Sequence, residues 1–569
     1  MVDILNIDMT QNLEPGPWLA IHKSLNVGVP DFDDRPVGAF VELYAQSMPD
    51  HCAIQFMDRS ISYGELNELA NRFANALLAR GVGENDVVGL HMTNIPQYMV
   101  AVVALAKLGA VGSGISPLLT PKEVINQIED AGAKALISLD VLAQPLFDSL
   151  GRLPSCVQVL IATNKEDLRA GSGNSSLLLG STEGDDFLAL LRESSADFEQ
   201  RQTAPNDVCF IQYTGGTTGR PKGAMLTLRG IMYNTLIAHP YRPWKVGLET
   251  AVNAFPPNHI AGLALIVWAL RYGATTVQIP DPRDIDHFCQ QLLNYPPTRL
   301  AGVPTLYNMI ANHPLSTKID FSHLRNAQTG AAPITGDDRR RIERMLGGIV
   351  LSDSFGMTEA GPTALVNPPE RCKPESVGIP VPSVDVRIVD VETGEHELPY
   401  GEPGEIIISS PCLMKGYVNR PEESKNSLRQ WHGKTWMHTG DIGVMDSEGY
   451  VYLKDRAKDM IIVNGYKVFS VEVEEKLSML DFVSCCAVVG SADAARPGSE
   501  IVNAFVELAK TDEGIDRSMV EETIQSFCRS EMASYKVPKV VKVVDAIPLT
   551  AVGKIDKKAL RVMAQQRNV

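Results

Sequence analysis

Glycine, threonine and lysine dominate one short stretch, Tyr213-Thr-Gly-Gly-Thr-Thr-Gly-Arg-Pro-Lys-Gly-Ala-Met225. Glycine lets backbone N–H groups approach phosphate oxygens with no Cβ in the way. Such a turn makes an anion-binding nest, and threonine hydroxyls with a lysine add charge-assisted donors. Val208 to Tyr213 reads as a buried strand that delivers the loop. The pattern departs from the common nucleotide-binding P-loop, because Pro221 precedes Lys222 and a glycine follows it, so the lysine does not open a helix. A glycine-rich surface hairpin is the plain alternative, and the density of hydroxyls and charge argues against it.

A chain of 569 residues is too long for one core, so two or more domains are expected. Its formal net charge of −16 argues against a nucleic-acid partner, since phosphate backbones are held by basic surfaces. Anionic substrates then need local positive sites, and Ser534 to Arg561 is a candidate: Lys536, Lys539, Lys542, Lys554, Lys557, Lys558 and Arg561 outnumber Asp545 and Asp556. A solvated basic face accounts for most of these. The nine cysteines are scattered with no C-x-x-C pair, which fits reduced thiols in a cytoplasmic protein. Asp3 and Asp8 break any basic-then-apolar signal pattern. The longest apolar run, Ile260 to Leu270, falls short of a membrane span, which leaves peripheral membrane contact open.

Ile61 to Arg80 has apolar residues at helical spacing, and Gly81 ends it. Strands are expected at 86–91, 110–115 and 134–138, with helices over 97–108 and 121–131. This alternation predicts a parallel sheet covered on both faces. The acidic, serine-rich stretch 180–205 reads as a surface connection. From Val384 onward, short strands such as 384–389 and 404–409 between Gly/Pro turns predict a small β-subdomain. After Asp455-Arg-Ala-Lys-Asp459 a compact α+β unit begins, with a helix near 471–479 and strands near 487 and 502–507.

Further motifs share the nucleotide theme. Ser352-Asp-Ser-Phe-Gly-Met-Thr-Glu359 follows the apolar Ile349-Val-Leu351, which is expected to be the strand. Phe355 offers a face to a purine, and Glu359 is a hard oxygen ligand for Mg²⁺ on the phosphates. Asp441, in Trp436-Met-His-Thr-Gly-Asp441, suits two ribose hydroxyls, as carboxylates do in other nucleotide folds. Taken together and in order, from about residue 40 to Lys554, these stretches resemble the adenylate-forming enzymes: acyl-CoA synthetases, peptide-synthetase adenylation domains and luciferases. The bacterial fatty-acid CoA ligases are the most similar branch, through Pro282-Arg-Asp-Ile285, Gly378-Ile-Pro-Val-Pro382, Asp455 to Ile462 and Tyr535-Lys-Val-Pro-Lys539. Phe355 stands where the family usually has tyrosine, which keeps the ring and loses a hydroxyl.

That resemblance implies an α/β fold: a large N-terminal domain, residues 1–455, with two layered α/β sheets and a small β-barrel, and a mobile α+β C-terminal domain, residues 456–569. It implies that ATP or AMP is held by Thr214, Gly215, Gly216, Thr217, Thr218, Lys222, Gly330, Ala331, Ala332, Asp353, Phe355, Gly356, Thr358, Asp441, Arg456 and Lys554. Thr214 and Glu359 are then the metal site, and these two with Lys554 are the catalytic set. His259, Gly262, Gly330 and Gly356 surround the acyl carboxylate. CoA meets Gly465, Tyr466 and Lys467, and Lys458 is the hinge. ATP, Mg²⁺ and CoA are required, with no prosthetic group, and the protein is a monomer or homodimer.

The implied activity is an AMP-forming carboxylate:CoA ligase for a medium- or long-chain fatty acid. An alicyclic or aromatic acid, or an acceptor other than CoA, is the alternative. Ala261, Gly262, Leu263, Ala264 and Trp268, with the segment 328–332, are expected to line an apolar acyl pocket.

Overall fold

The computed structural model describes residues 14–150, 153–169, 184–214, 221–330, 334, 336–464, 466–493, 496, 498–509, 517–549 and 555–565. The chain divides into two units: Met1–Val386, Ile408–Met437 and Glu448–Tyr450 form one, and Arg387–Ile407, His438–Ser447 and Val451–Val569 the other.

In the larger unit the alternation of strand and helix builds two sheets. One has seven strands in the order Asp185–Asp186, Val159–Thr163, Ala135–Leu139, Val87–His91, Val111–Gly114, Val208–Thr214 and Lys222–Thr227. All pairings in it are parallel except the last, where Lys222–Thr227 returns antiparallel to Val208–Thr214. The second sheet has nine strands, parallel through Leu351–Phe355, Asn326–Thr329, Arg299–Ala301, Thr250–Asn253, Thr275–Gln278 and Cys52–Phe56 and antiparallel at its edges. Helix Pro96–Leu108 is buried along almost its whole length, as a helix with apolar residues all round must be. Among the described residues no helix is long and apolar enough to cross a membrane. The region of short strands forms a five-stranded sheet, in the order Asp385–Val389, Gly404–Ser409, Lys434–Met445 and Leu428–Trp431 with Val451–Arg456 also on Lys434–Met445, most of whose residues belong to the second unit.

Three local expectations are corrected. The helix expected from Ile61 begins at Tyr63, because Arg59–Ser62 is a strand in which Ile61 pairs with Ile54, and Ser62 caps the helix by accepting from the Glu65 N–H. Within the stretch read as a surface connection lies the helix Phe187–Glu193, with Phe187, Leu190 and Leu191 buried and the Phe187 ring 4.8 Å from that of Phe73. Three apolar residues outweigh the acidic and serine content there. The strand expected at 349–351 is Leu351–Phe355, so the motif forms the strand rather than following it.

The second unit carries the hairpin Ile461–Val463/Tyr466–Val468 and a three-stranded sheet. In that sheet Val483–Ala492 is antiparallel and Val540–Val543 parallel to Glu500–Leu508. Helices Ser470–Leu477, Arg517–Glu531 and Lys557–Gln565 accompany them. The basic segment is largely committed inside this unit. Lys536 pairs with Glu472, Lys539 with Asp493 at 3.1 Å, and Arg561 with Asp459, while Lys542 donates to the Met563 carbonyl. Lys557 sits 2.8 Å from Glu474 with both side chains 15% exposed, and also donates to Ser470 Oγ. Burial pushes the Glu474 carboxyl up in spite of that lysine.

Removing one partner of a buried pair strands the other charge. Lys557→Met is expected to lower stability of this unit by about 3–5 kcal/mol. Adding Glu474→Gln should recover most of that loss, with urea unfolding as the measurement. No recovery in the double variant would mean that lost packing, not the stranded charge, sets the cost.

Candidate functional site

Val208–Thr214 and Lys222–Thr227 form a hairpin in which Thr214 lies opposite Lys222. The loop that joins them, with Gly215, Gly216, Thr217 and Thr218, lies outside the described residues. Its two ends show what it is anchored to. Thr214 Oγ1 donates to Glu359 Oε1 at 3.1 Å across a separation of 145 residues. Glu359 sits in the short turn Thr358–Ala360 after the strand Leu351–Phe355, is only 6% exposed, and its carbonyl accepts from the Met414 N–H. Tyr417 donates its hydroxyl to the same Glu359 Oε1 at 2.9 Å, and the Lys222 ammonium lies 4.8 Å from the Tyr417 ring centre.

Tyr417 was not among the expected residues. It arrives because Met414 to Val418 runs along Lys222–Thr227: Met225 N–H donates to Gly416, Lys415 N–H to Met225 and Val418 N–H to Gly223. A tyrosine following a glycine has no chemical signature of its own, so only this pairing reveals it. Burial and the neighbouring carboxylate push its hydroxyl well up, so it stays a donor. A hydroxyl and a carboxylate 3.1 Å apart, beside the Thr214 and Lys222 ends of the hairpin, fit a magnesium ion. That cation is usually held by one or two carboxylates with substrate phosphates, so the lack of a three-acid cluster among the described residues is no obstacle.

The purine-side residues are less open than expected. Phe355 is 8% exposed and lies opposite Leu365, so most of its ring is covered by protein. Asp353 accepts from Arg339 at 2.6 Å, and burial still pushes its carboxyl up. Thr358 is buried beside Glu359. Gly356 is exposed, and a Cβ there would lie 2.2 Å from the Pro362 carbonyl oxygen. Gly330 is half-buried after Asn326–Thr329, whereas Ala331 and Ala332 lie outside the described residues.

His259 caps the helix Ile260–Arg271, its Nδ1 accepting from the Ala261 N–H at 3.2 Å. That bond puts the proton of the neutral ring on Nε2. Gly262 is required by packing: a Cβ would come within 2.2 Å of the Pro256 carbonyl oxygen. On the same helix Ala261, Ala264 and Leu265 are half-buried, while Leu263 is covered.

In the second unit Asp441 and Arg456 are cross-strand partners, with Arg456 Nε 3.0 Å from Asp441 Oδ1. The Asp441 N–H is held by Thr439 Oγ1 and the Gly440 N–H by Glu405 Oε1, which fixes the turn. The two acids of Asp455-Arg-Ala-Lys-Asp459 are structural. Asp455 accepts from the Ser470 N–H at the start of a helix and Asp459 from Arg561, while the Lys458 carbonyl accepts from Arg561 as well. Tyr466 is exposed and stacks on Tyr535 at 4.7 Å, with Lys467 exposed beside it. Gly465 and Lys554 lie outside the described residues.

Comparison with known proteins agrees over nearly the whole chain. Residues 41–418 match the AMP-binding enzyme family and residues 472–554 match the AMP-binding enzyme C-terminal domain. The long-chain-fatty-acid–CoA ligase of Escherichia coli O6:H1 is 32% identical over 545 residues, which is 92% of this chain and 94% of that one. The fold is similar to the anthranilate CoA ligase AuaEII in complex with anthranoyl-AMP, with a TM-score of 0.81, 25% identity and coverage of 93% and 97%. It is also similar to ATP-bound MatB from Rhodopseudomonas palustris, with a TM-score of 0.79, 28% identity and coverage of 93% and 99%.

Titration calorimetry with ATP, with and without Mg²⁺, tests the hydroxyl–carboxylate pair. Tyr417→Phe removes one donor to a carboxylate and is expected to weaken Mg·ATP binding about tenfold. Glu359→Gln should abolish most of the gain that Mg²⁺ gives. An unchanged magnesium dependence in Glu359→Gln would remove the carboxylate from that role.

Proposed function

We propose that this chain, which belongs to the AMP-binding enzyme family and is an AMP-forming acid–thiol ligase, joins a medium- or long-chain fatty acid to CoA. The observation that carries the reading is the meeting of Thr214 with Glu359 beside the Lys222 hairpin. A carboxylate oxygen attacks the α-phosphorus of ATP, pyrophosphate leaves, and an acyl-adenylate remains. The CoA thiolate then attacks the acyl carbon and AMP leaves, giving the thioester. A free carboxylate is a poor acyl donor, and adenylation turns one of its oxygens into part of a good leaving group.

Lys222 and the loop before it hold the phosphates by backbone N–H groups, hydroxyls and charge. Glu359 and Thr214 would hold Mg²⁺. When bound there it neutralises phosphate charge during the displacement, which is how phosphoryl-transfer sites do most of their work. Asp441 and Arg456 hold the ribose and a phosphate. Asp353, Phe355, Gly356, Thr358 and the segment Gly330 to Ala332 take the adenine and the acyl end, with His259 and Gly262 near the carboxylate. Lys554 compensates charge in the first step.

Residues 1–455 and 456–569 act as two domains with Lys458 as the hinge, so that Lys554 serves adenylation and Gly465, Tyr466 and Lys467 serve thioester formation. The similarity to a long-chain-fatty-acid–CoA ligase supports a fatty acid. The structural likeness to an anthranilate CoA ligase keeps a ring-bearing acid as the second reading. The site of action is the cytoplasm.

Two experiments test this. Lys554→Ala should lower adenylate formation about 10²–10³-fold, as loss of a preorganised donor does, yet still convert supplied acyl-AMP and CoA to thioester. Gly465→Leu should show the reverse, and equal loss of both half-reactions in each variant would refute the two-domain division of labour. Pyrophosphate release with acetate, octanoate, palmitate, benzoate and cyclohexanecarboxylate should be greatest for octanoate or palmitate. A clear preference for benzoate or cyclohexanecarboxylate would select the ring-bearing class instead.

A further inference from the structure

The nine-stranded sheet has two unlike faces. Val277, Val252, Leu300, Ala327 and Leu351 are cross-strand partners in one row. They belong to a hydrophobic cluster with Phe288, Leu292 and Ile310. The next residue along each strand points the other way. That second row reads Gln278, Asn253, Ala301, Gln328 and Ser352. A covered sheet face that serves stability alone is apolar. This one carries three amides and a hydroxyl around Ala301.

Several of its polar atoms are unsatisfied. Asn253 is fully buried, and among the described residues neither its Nδ2 nor its Oδ1 has a partner. Arg242 reaches the same face and is 3% exposed. It donates Nη1 to Gln328 Oε1 at 3.0 Å and Nη2 to the Asp353 carbonyl at 3.3 Å and Ser352 Oγ at 3.4 Å. Its Nε has no partner among the described residues. All three acceptors are neutral, because the Asp353 carboxylate is taken by Arg339. The nearby Arg299 is a second buried cation, facing Glu249 at 3.4 Å and the Trp244 ring at 4.4 Å. Burial and Arg299 bring the Arg242 guanidinium down to about 9, so it remains charged at neutral pH. The Asp353 carboxylate is near enough to favour the charged Arg242 but bonds Arg339 instead, so a buried guanidinium is left with an N–H that no described residue accepts, which costs stability unless something uses it.

The polar row opens at its carboxyl end. Ala301, Gln328, Gly330 and Ser354 are half-buried rather than covered, at the strand ends where parallel sheets take ligands. Gln328 and Gly330 share a face, two residues or about 6.6 Å apart. Aromatic rings stand near the buried cations: Trp244 lies 5.7 Å from Trp268 and 6.0 Å from Tyr272.

We infer that the acid this enzyme activates carries an oxygen acceptor along its chain (a hydroxyl, a carbonyl or a second carboxylate) and that Arg242 and Gln328 hold that oxygen. The inference rests on the ligase reading, which puts the acyl end beside Gly330, and it narrows the fatty acid to an oxygenated one. Arg242 supplies the charged donor through Nε, Gln328 orients the guanidinium through Oε1 and, with one Nε2 hydrogen given to Asn326 Oδ1 at 2.6 Å, has its second N–H to offer, and Asn253 extends the polar floor. These are specificity-determining residues, remote from the reacting atoms.

The test compares kcat/KM for thioester formation with hexanoate, octanoate and palmitate against the ω-hydroxy, ω-oxo and ω-carboxy acids of the same lengths. At one length or more, an oxygenated acid should exceed the plain acid at least tenfold, and the three oxygenated arms say which oxygen is read. Arg242→Met and Gln328→Leu should each reduce the oxygenated-to-plain ratio at least tenfold. Should Arg242→Met fail to fold, Gln328→Leu, at a half-buried position, decides. Plain acids turned over as well as or better than every oxygenated one, or a ratio unmoved by the substitutions, would overturn the inference and leave the ligase intact. AMP release from none of the acids would remove the ligase reading and this inference with it.

Discussion

One carboxylate holds the site of the larger unit together. Glu359 accepts from Thr214, at the end of a strand in the seven-stranded sheet, and from Tyr417, in a segment that runs along the next strand. Its own position follows the last long strand of the nine-stranded sheet. The two sheets are therefore tied at a buried acid, in addition to the bonds that Asn94 and Tyr98 give to the segment 253–257. Because that acid is nearly inaccessible, each donor it keeps matters more than it would in water. Thr214, which makes that contact, is also the strand residue paired with Lys222.

Polar groups recur as positioning devices elsewhere. In the second unit Glu474, Lys557 and Ser470 tie the final helix to the helix Ser470–Leu477, and Asp455 caps that same helix. Asp459 and the Lys458 carbonyl both engage Arg561. A motif that reads as nucleotide chemistry thus divides its labour: its two acids hold the turn while Arg456 stays half-exposed beside Asp441. The polar face of the nine-stranded sheet differs from these cases. There, among the described residues, Asn253 and Arg242 keep atoms without partners, while Val252, Val277, Leu300, Ala327 and Leu351 of the opposite face belong to an apolar cluster. Satisfied polar networks look structural, and unsatisfied ones call for a ligand.

The legible parts of the fold were those with a strong local signal. The helix Pro121–Ala131 has a proline at its start, a threonine cap reciprocated by Glu123 and a glycine in the left-handed conformation at its end. The parallel strands carry nearly continuous apolar runs. Where a tertiary partner competed with local preference, the reading slipped. Ile61 has helical spacing but is drawn into a strand by Ile54, and Phe187 is drawn into the core by Phe73 although its surroundings are acidic. In the site, Thr214 and Glu359 were identifiable from chemistry alone. Tyr417 and Arg242 were not, because neither stands in a motif and each gains its meaning from a neighbour far away in the chain; Gln328 lay in the segment expected to line an apolar pocket, but its bond to Arg242 was not legible.

By itself the order of residues determined the family, the alternating α/β architecture and the kinds of side chain available: a glycine- and threonine-rich stretch with a lysine, a hard carboxylate and a second acid in a set sequence. Those are local properties, written in periodicity and in side-chain type, and they survive any change in distant packing. The folded structure alone decided which carboxylates meet hydroxyls at the ends of strands and which hold turns and helix starts, and which face of the large sheet carries polar atoms without partners among the described residues. That distinction depends on which atoms water is excluded from and which donors then face which acceptors, and it exists only once strands remote in sequence lie side by side.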